Sequence, residues 1–156
     1  MAIRKIRLKG DSILKKKSRP VEKFDERLHQ LIDDMIQTMK EENGIGIAAP
    51  QVGILRRIVV VKVEEDVHEL VNPVITKTCG EQEVTEGCLS FPGRYGITKR
   101  PKEVLVEAKD RNDKKIALSG EGLLSAIICH EIDHLEGILF ESRIVKEIEQ
   151  EFLDKN

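Results

Sequence analysis

The apolar run Leu123–Leu135 ends in His130-Glu131-Ile132-Asp133-His134, and no other feature restricts the fold and chemistry of this chain as tightly. Leu123, Leu124, Ile127 and Ile128 supply a buried side and Gly137 a stop, so the segment reads as a packed helix. On a helix, His130 and His134 lie four residues apart and project from one face. Their imidazoles can then take neighbouring corners of one metal ion. Glu131 stands one position further round, close enough to handle the proton of a metal-bound water without being a ligand itself. With no metal, the same pattern is only a helix with two buried histidines and a surface glutamate.

At 156 residues the chain is expected to form a single domain, 1–156, with a short polar tail at about 144–156. Aromatic residues make up only 3% and tryptophan is absent, so the core must be aliphatic and base stacking has few side chains to use. A formal net charge of −2 gives no global attraction to DNA or to an anionic membrane. Arg4, Lys5, Arg7, Lys9, Lys15, Lys16, Lys17 and Arg19 gather near the start, interleaved with Ile3, Ile6, Leu8, Ile13 and Leu14 as in an ordinary packed segment. No stretch has the apolar centre of a signal peptide or reaches membrane-spanning length, and the cytoplasm is the expected address. Three cysteines, Cys79, Cys88 and Cys129, argue against a disulfide framework and leave at least one thiol for metal or chemistry.

Leu28, Leu31, Ile32, Met35, Ile36 and Met39 recur at helical spacing after a capping Asp25, and Asn43-Gly44 stops the helix. Ile58-Val59-Val60-Val61 with Val63 predicts a strand, and 67–71 another that ends at Asn72-Pro73. Val104, Val106 and Ala108 alternate with Leu105, Glu107 and Lys109 and lead through Arg111-Asn112-Asp113 into Ile116 and Leu118, a hairpin. The tail 144–156 reads as a short helix. The order helix, strands, helix predicts an α+β fold, with antiparallel or mixed strands packed around a central C-terminal helix that carries the histidines.

A catalytic metal site has three protein ligands and a position for water, so two histidines call for a third donor. Glu136, Glu141 and Glu147 are candidates beyond the helix. Upstream, Cys88 lies in Glu86-Gly87-Cys88-Leu89-Ser90, where an extended segment crossing the helix would complete a cysteine and two-histidine set. Cys129 adjoins His130 and points off the ligand face, and Cys79 precedes Gly80 in a turn. A third segment, Gly44-Ile45-Gly46-Ile47-Ala48-Ala49-Pro50-Gln51, is small enough to let another backbone approach and ends in an amide that can donate to a carbonyl oxygen.

In this order, Gly-x-Gly-x-Ala-Ala-x-Gln at 44–51, Glu-Gly-Cys-Leu-Ser at 86–90 and His-Glu-x-Asp-His at 130–134 resemble the three signature motifs of peptide deformylase. The resemblance implies a hydrolase that removes the formyl group from the N-terminal formylmethionine of new polypeptides and releases formate. It implies Cys88, His130 and His134 as metal ligands, Glu131 as general base and acid, and Gln51 with the Leu89 backbone N–H as oxyanion contacts. The family's metal is typically Fe²⁺, with Zn²⁺, Ni²⁺ or Co²⁺ able to occupy the site. Substrate would meet Gly44, Ile45, Gly46, Ile47, Glu86, Ala126 and Ile127, and Asp133 would pair with Arg100 to tie the Cys88 strand to the helix. The chemistry is consistent: a divalent ion lowers the pKa of its water from about 15.7 towards about 7, and the resulting hydroxide attacks the formyl carbon. One lost oxyanion donor costs on the order of 3 kcal/mol.

Some family members dock on the ribosome through a long basic C-terminal helix. Here the tail after Ile144 is short and net acidic, which leaves the basic N-terminal segment as the expected place for a weak ribosome contact. A monomer is expected. The alternatives are a cysteine hydrolase with Cys88 as nucleophile, a non-enzymatic module with a structural metal, and an aminopeptidase with two histidines and one glutamate.

Overall fold

The computed structural model describes residues 2–148. Helix α1 is Glu26–Glu41, followed by strands β1 Gly46–Ala48, β2 Ile58–Val63, β3 Asp66–Cys79, β4 Gln82–Cys88, β5 Phe91–Arg100, β6 Glu103–Lys109 and β7 Lys115–Glu121. Helix α2 is Leu123–Leu135 and β8 is Ile144–Ile148. Five strands form one antiparallel sheet in the order β1-β2-β3-β6-β7, and β4-β5-β8 form a second. This is a mixed α+β fold with antiparallel sheets and two helices. Among the described residues, the parallel component is one isolated bridge between Arg19 and Arg56.

The β-branched run in β2 shows why the five-stranded sheet has helices on both faces. Side chains alternate along a strand, so Ile58 and Val60 enter one cluster with Ile47, Val71 and the α1 residues Leu28, Leu31, Ile32, Met35 and Met39. Val59 and Val61 enter the opposite cluster with Leu70, Val104, Val106 and the α2 residues Ile127, Ile128 and Leu135. All four β2 side chains are fully buried, and each contributes about 2 kcal/mol of hydrophobic stabilisation. Asp25 caps α1 by accepting a bond from the Leu28 N–H. A smaller third cluster of Leu14, Phe91, Leu139 and Phe140 lies beneath the second sheet.

Three expectations are corrected. The strand expected to end at Asn72-Pro73 runs on to Cys79, with a register shift between Val71 and Val74. Proline has no N–H to give to a ladder, and the bulge places it where none is needed. Asn72 adopts a φ of 53° there, and its side chain holds both the N–H and the C=O of Val21. The start of the tail, expected to be helical, is strand β8 paired with β5, while the remainder of that expectation lies outside the described residues. Leu123, expected on the buried side of α2, is exposed.

The exit of α2 is fixed by Gly137, whose φ is +74°, and a Cβ there would lie 2.5 Å from the Lys15 carbonyl oxygen. Nearby, the Ser18 N–H donates to the Leu135 carbonyl. Substituting Gly137→Ala must therefore strain the backbone and push away the 15–18 segment. Urea denaturation is expected to show a loss of about 2 kcal/mol or more; unchanged stability would contradict this packing.

Candidate active site

Cys88 and the two histidines converge because a hairpin turn lies over the helix. Cys88 closes β4 and pairs with Phe91 across the two-residue turn Leu89-Ser90, which places the thiol above α2. The ligand atoms of Cys88, His130 and His134 all lie within 4.8 Å of one another. Cys88 Sγ is 3.3 Å from His134 Nε2. Both histidines are buried, and the Phe140 ring packs 5.7 Å from that of His130.

A buried carboxylate holds His130, whereas His134 Nδ1 has no hydrogen-bond partner among the described residues. His130 Nδ1 is 2.6 Å from Glu86 Oε1, and Arg100 donates to both oxygens of that carboxylate at 2.7 and 2.9 Å. Burial alone would raise the Glu86 carboxyl, but the bonds from Arg100 and His130 outweigh it and hold the group at about 2. Glu86 is thus an anion, Nδ1 of His130 carries the donated proton, and Nε2 is the nitrogen left to face a ligand. Burial would likewise lower the His130 imidazole, but Glu131, Cys88 and Glu86 hold it well above the ordinary histidine value in the metal-free chain. Burial and the neighbouring His130 push His134 well below that value, so it is neutral. One thiol and two imidazoles so arranged suit a divalent transition metal.

Glu131 is 4% exposed, and its Oε1 has no hydrogen-bond partner among the described residues. Burial raises its carboxyl to about 7, only partly offset by His130. Gly46 makes room for it: a Cβ at Gly46 would lie 2.5 Å from Glu131 Oε2. Gln51 is oriented without ambiguity. Its Oε1 accepts from the Ala48 N–H at 2.9 Å, so Nε2 is the atom that lies 3.4 Å from Cys88 Sγ and donates to Ser90 Oγ at 3.1 Å. The close approach expected at Gly44 and Gly46 is made by the side chains of Leu89 and Glu131 rather than by a backbone.

Other expected site residues fall differently. Glu86 was expected to meet substrate, but its oxygens are taken up by Arg100, Thr98 and His130, so it faces the helix and not the cleft. Ile47 was expected in the same role, yet its side chain is buried in the α1 cluster, because the next face of β1 is the one turned to α2. Ile45 is exposed at the rim, Ala126 and Ile127 are buried on α2, and Ile127 Cγ2 lies against Gly46. Arg100 meets Asp133 at 2.7 Å, and with side chains 3% and 14% exposed this pair is buried, unlike a surface bridge. Glu136 pairs with Arg57, Glu141 with Lys9 and Arg94, and Glu147 with Arg94, so none of the three acids joins the histidines. Cys79 is exposed, and the Cys129 thiol is packed in the core and pushed up to about 11 by burial.

Sequence reasoning passed over several supporting residues. Ser90 is fully buried and receives the Gln51 amide, Thr98 donates to Glu86, and Arg143 donates to both oxygens of Asp133. The N-terminal segment also braces the site, with the Arg7 N–H on the Gln51 carbonyl and the Lys9 N–H on the Ser90 carbonyl. Ser90 had a signal, its place in 86–90; the others are joined only by the fold.

Residues 3–150 match the family model described as polypeptide deformylase. The chain is 57% identical over 149 residues to peptide deformylase 2 of Clostridium acetobutylicum, covering 95% of this chain and 99% of that one. It is 52% identical over 155 residues to the peptide deformylase of Caldicellulosiruptor bescii, covering 99% and 93%. Among solved structures, a peptide deformylase from Legionella pneumophila matches with a TM-score of 0.89 at 44% identity, over 92% of this chain and 86% of that one. The Thermotoga maritima peptide deformylase matches with a TM-score of 0.90 at 37% identity, over 92% and 99%. With its three motifs folded into one site and residues 3–150 matched by the family model, this chain belongs to the polypeptide deformylase family.

Proposed function

We propose that this chain hydrolyses the formyl group from the N-terminal formylmethionine of newly made polypeptides, yielding formate and a free amine. The convergence of Cys88, His130 and His134 beside Glu131 and the Gln51 amide carries this reading. Those three ligands would hold one divalent cation, Fe²⁺ in the cell, with Zn²⁺, Ni²⁺ or Co²⁺ as substitutes. When bound, such an ion supplies Lewis acidity that lowers the pKa of water towards about 7.

Glu131 takes a proton from the attacking water and passes it to the departing amine, a task suited to a carboxyl poised near 7. Gln51 Nε2 donates to the formyl oxygen as charge builds there, and the Leu89 N–H is the second donor. Glu86, Arg100 and Asp133 keep His130 in place. The Ile45 carbonyl accepts from the Lys62 N–H at 2.8 Å, so by alternation the backbone groups of Gly46 face the open edge of β1. Substrate backbone adds there as an extra strand, and the methionine side chain lies against Ala126 and Ile127, with Ile45 at the rim.

The chain acts as one catalytic domain and as a monomer in the cytoplasm. Its weak ribosome contact is placed on the exposed Lys15, Lys16 and Lys17. Among the described residues, no helix is long and apolar enough to cross a membrane. A second reading, Cys88 as nucleophile with His134 as base, draws on their 3.3 Å separation. Chelation separates the two, because only the metal reading loses turnover on chelation and regains it when metal is restored.

Glu131→Ala is expected to keep one equivalent of metal and to lose about a thousandfold in kcat on a formyl-methionyl peptide; near-native turnover would remove the role given to Glu131. Metal affinity is expected to fall about tenfold per pH unit below neutrality, because the proton held on His130 must leave for binding. Chelator competition from pH 7 to pH 5 checks this, and a flat affinity would contradict it.

A further inference from the structure

Resting on the reading above, we infer that Arg143 is a positioning residue for the ligand His130. It acts from the surface through Asp133, Arg100 and Glu86, and it sets how long the protein keeps its metal. The contacts run in one chain of alternating charge. Asp133 Oδ2 accepts from Arg143 Nε at 3.1 Å and from Arg100 Nη1 at 2.7 Å. Asp133 Oδ1 accepts from Arg143 Nη2 at 3.1 Å, its one hydrogen bond among the described residues. Arg100 Nε and Nη2 go to Glu86 at 2.7 and 2.9 Å, and Glu86 Oε1 holds His130 Nδ1.

The Arg143 side chain is 45% exposed, and an ion pair so open to water adds little to stability. Its effect is directional. A guanidinium offers N–H groups in a rigid plane, so bonding to both Asp133 oxygens fixes the plane of that carboxylate. With Arg143 removed, Asp133 can turn and take two donors from Arg100 in place of one. Arg100 then tilts away from Glu86, and the acceptor that orients His130 loses its alignment. The fork itself is held from both sides. The Arg143 N–H donates to the Phe140 carbonyl at 2.8 Å, and the Phe140 ring packs 5.7 Å from that of His130. On the other side, Ile144 pairs with Thr98, which donates to Glu86. Both flanks of Arg143 thus lead back to the same histidine.

The test follows zinc release from zinc-loaded protein to an excess of chromogenic chelator, together with the visible absorption bands of cobalt-loaded protein. Arg143→Met is expected to release zinc about fivefold faster than the native chain and to shift the cobalt bands. Arg143→Lys keeps the charge without the fork and is expected to release zinc about twofold faster. Arg57→Met is the comparison, because Arg57 pairs at 2.8 Å with Glu136, the C-cap of α2, outside this chain of contacts. It should leave release and bands native. A merely structural role for Arg143 would lower the melting temperature without moving the cobalt bands. Native release or native bands in Arg143→Met, or equal changes in Arg57→Met, would overturn this inference while leaving deformylation intact. If Arg143→Met does not fold, native release in Arg143→Lys would overturn it. A native chain that holds neither zinc nor cobalt would instead overturn the reading of the site itself.

Discussion

A buried guanidinium, that of Arg100, joins the two stretches of chain that must meet for this site to exist. It donates from β5 to Glu86 on β4 and to Asp133 on α2, and Glu86 in turn holds His130. Burying such a cation is costly, and only a full set of acceptors makes it tolerable; removing one partner strands the other at a cost of about 3 to 5 kcal/mol. The hairpin carrying Cys88 and the helix carrying the histidines are therefore held at fixed separation by charge as well as by packing. The Glu86 carboxyl is lowered to about 2, so in the metal-free chain its stabilisation is complete above the ordinary carboxylate range and is lost as pH falls towards that value.

Around this link, hydrophobic burial and small residues set the geometry. The two faces of β2 feed separate clusters, one with α1 and one with α2, and so fix α2 against the sheet. Gly46 lets the Glu131 carboxylate sit against β1, and the same lack of a side chain leaves the strand edge clear. Phe140 supports the His130 ring from the third cluster. The burial that makes the core cohesive also raises the Glu131 carboxyl to about 7, so packing prepares the group for proton transfer.

Where one local pattern decided an element, the sequence was sufficient. The periodicity of α1, the run of β2, the β6–β7 hairpin and the bounds of α2 could all be read from residue spacing. Asn72-Pro73 misled because a turn signal and a bulge use the same residues, and only the partner strand and the contact with Val21 distinguish them. β8 was misread because the pairing that makes it a strand lies about fifty residues upstream on β5, where no periodicity within the tail could register it. In the site, the two histidines meet as their spacing suggested, and Cys88 and Gln51 join them as the family resemblance implied. Glu86 accepts hydrogen bonds beside the site, as its motif suggested, but turns to the helix rather than the cleft, and Thr98, Ser90 and Arg143 were missed, because which face of a short strand is inward depends on the sheet it joins.

The central claim is that Cys88, His130 and His134 bind one cation and leave a position open to solvent. The most direct test is X-ray absorption spectroscopy on anaerobically prepared, iron-loaded protein, with Cys88→Ser alongside. One sulfur, two imidazole nitrogens and at least one light oxygen donor are expected around the iron, with the sulfur lost in the variant. A site with no sulfur, or with a second protein sulfur closing the open position, would contradict it.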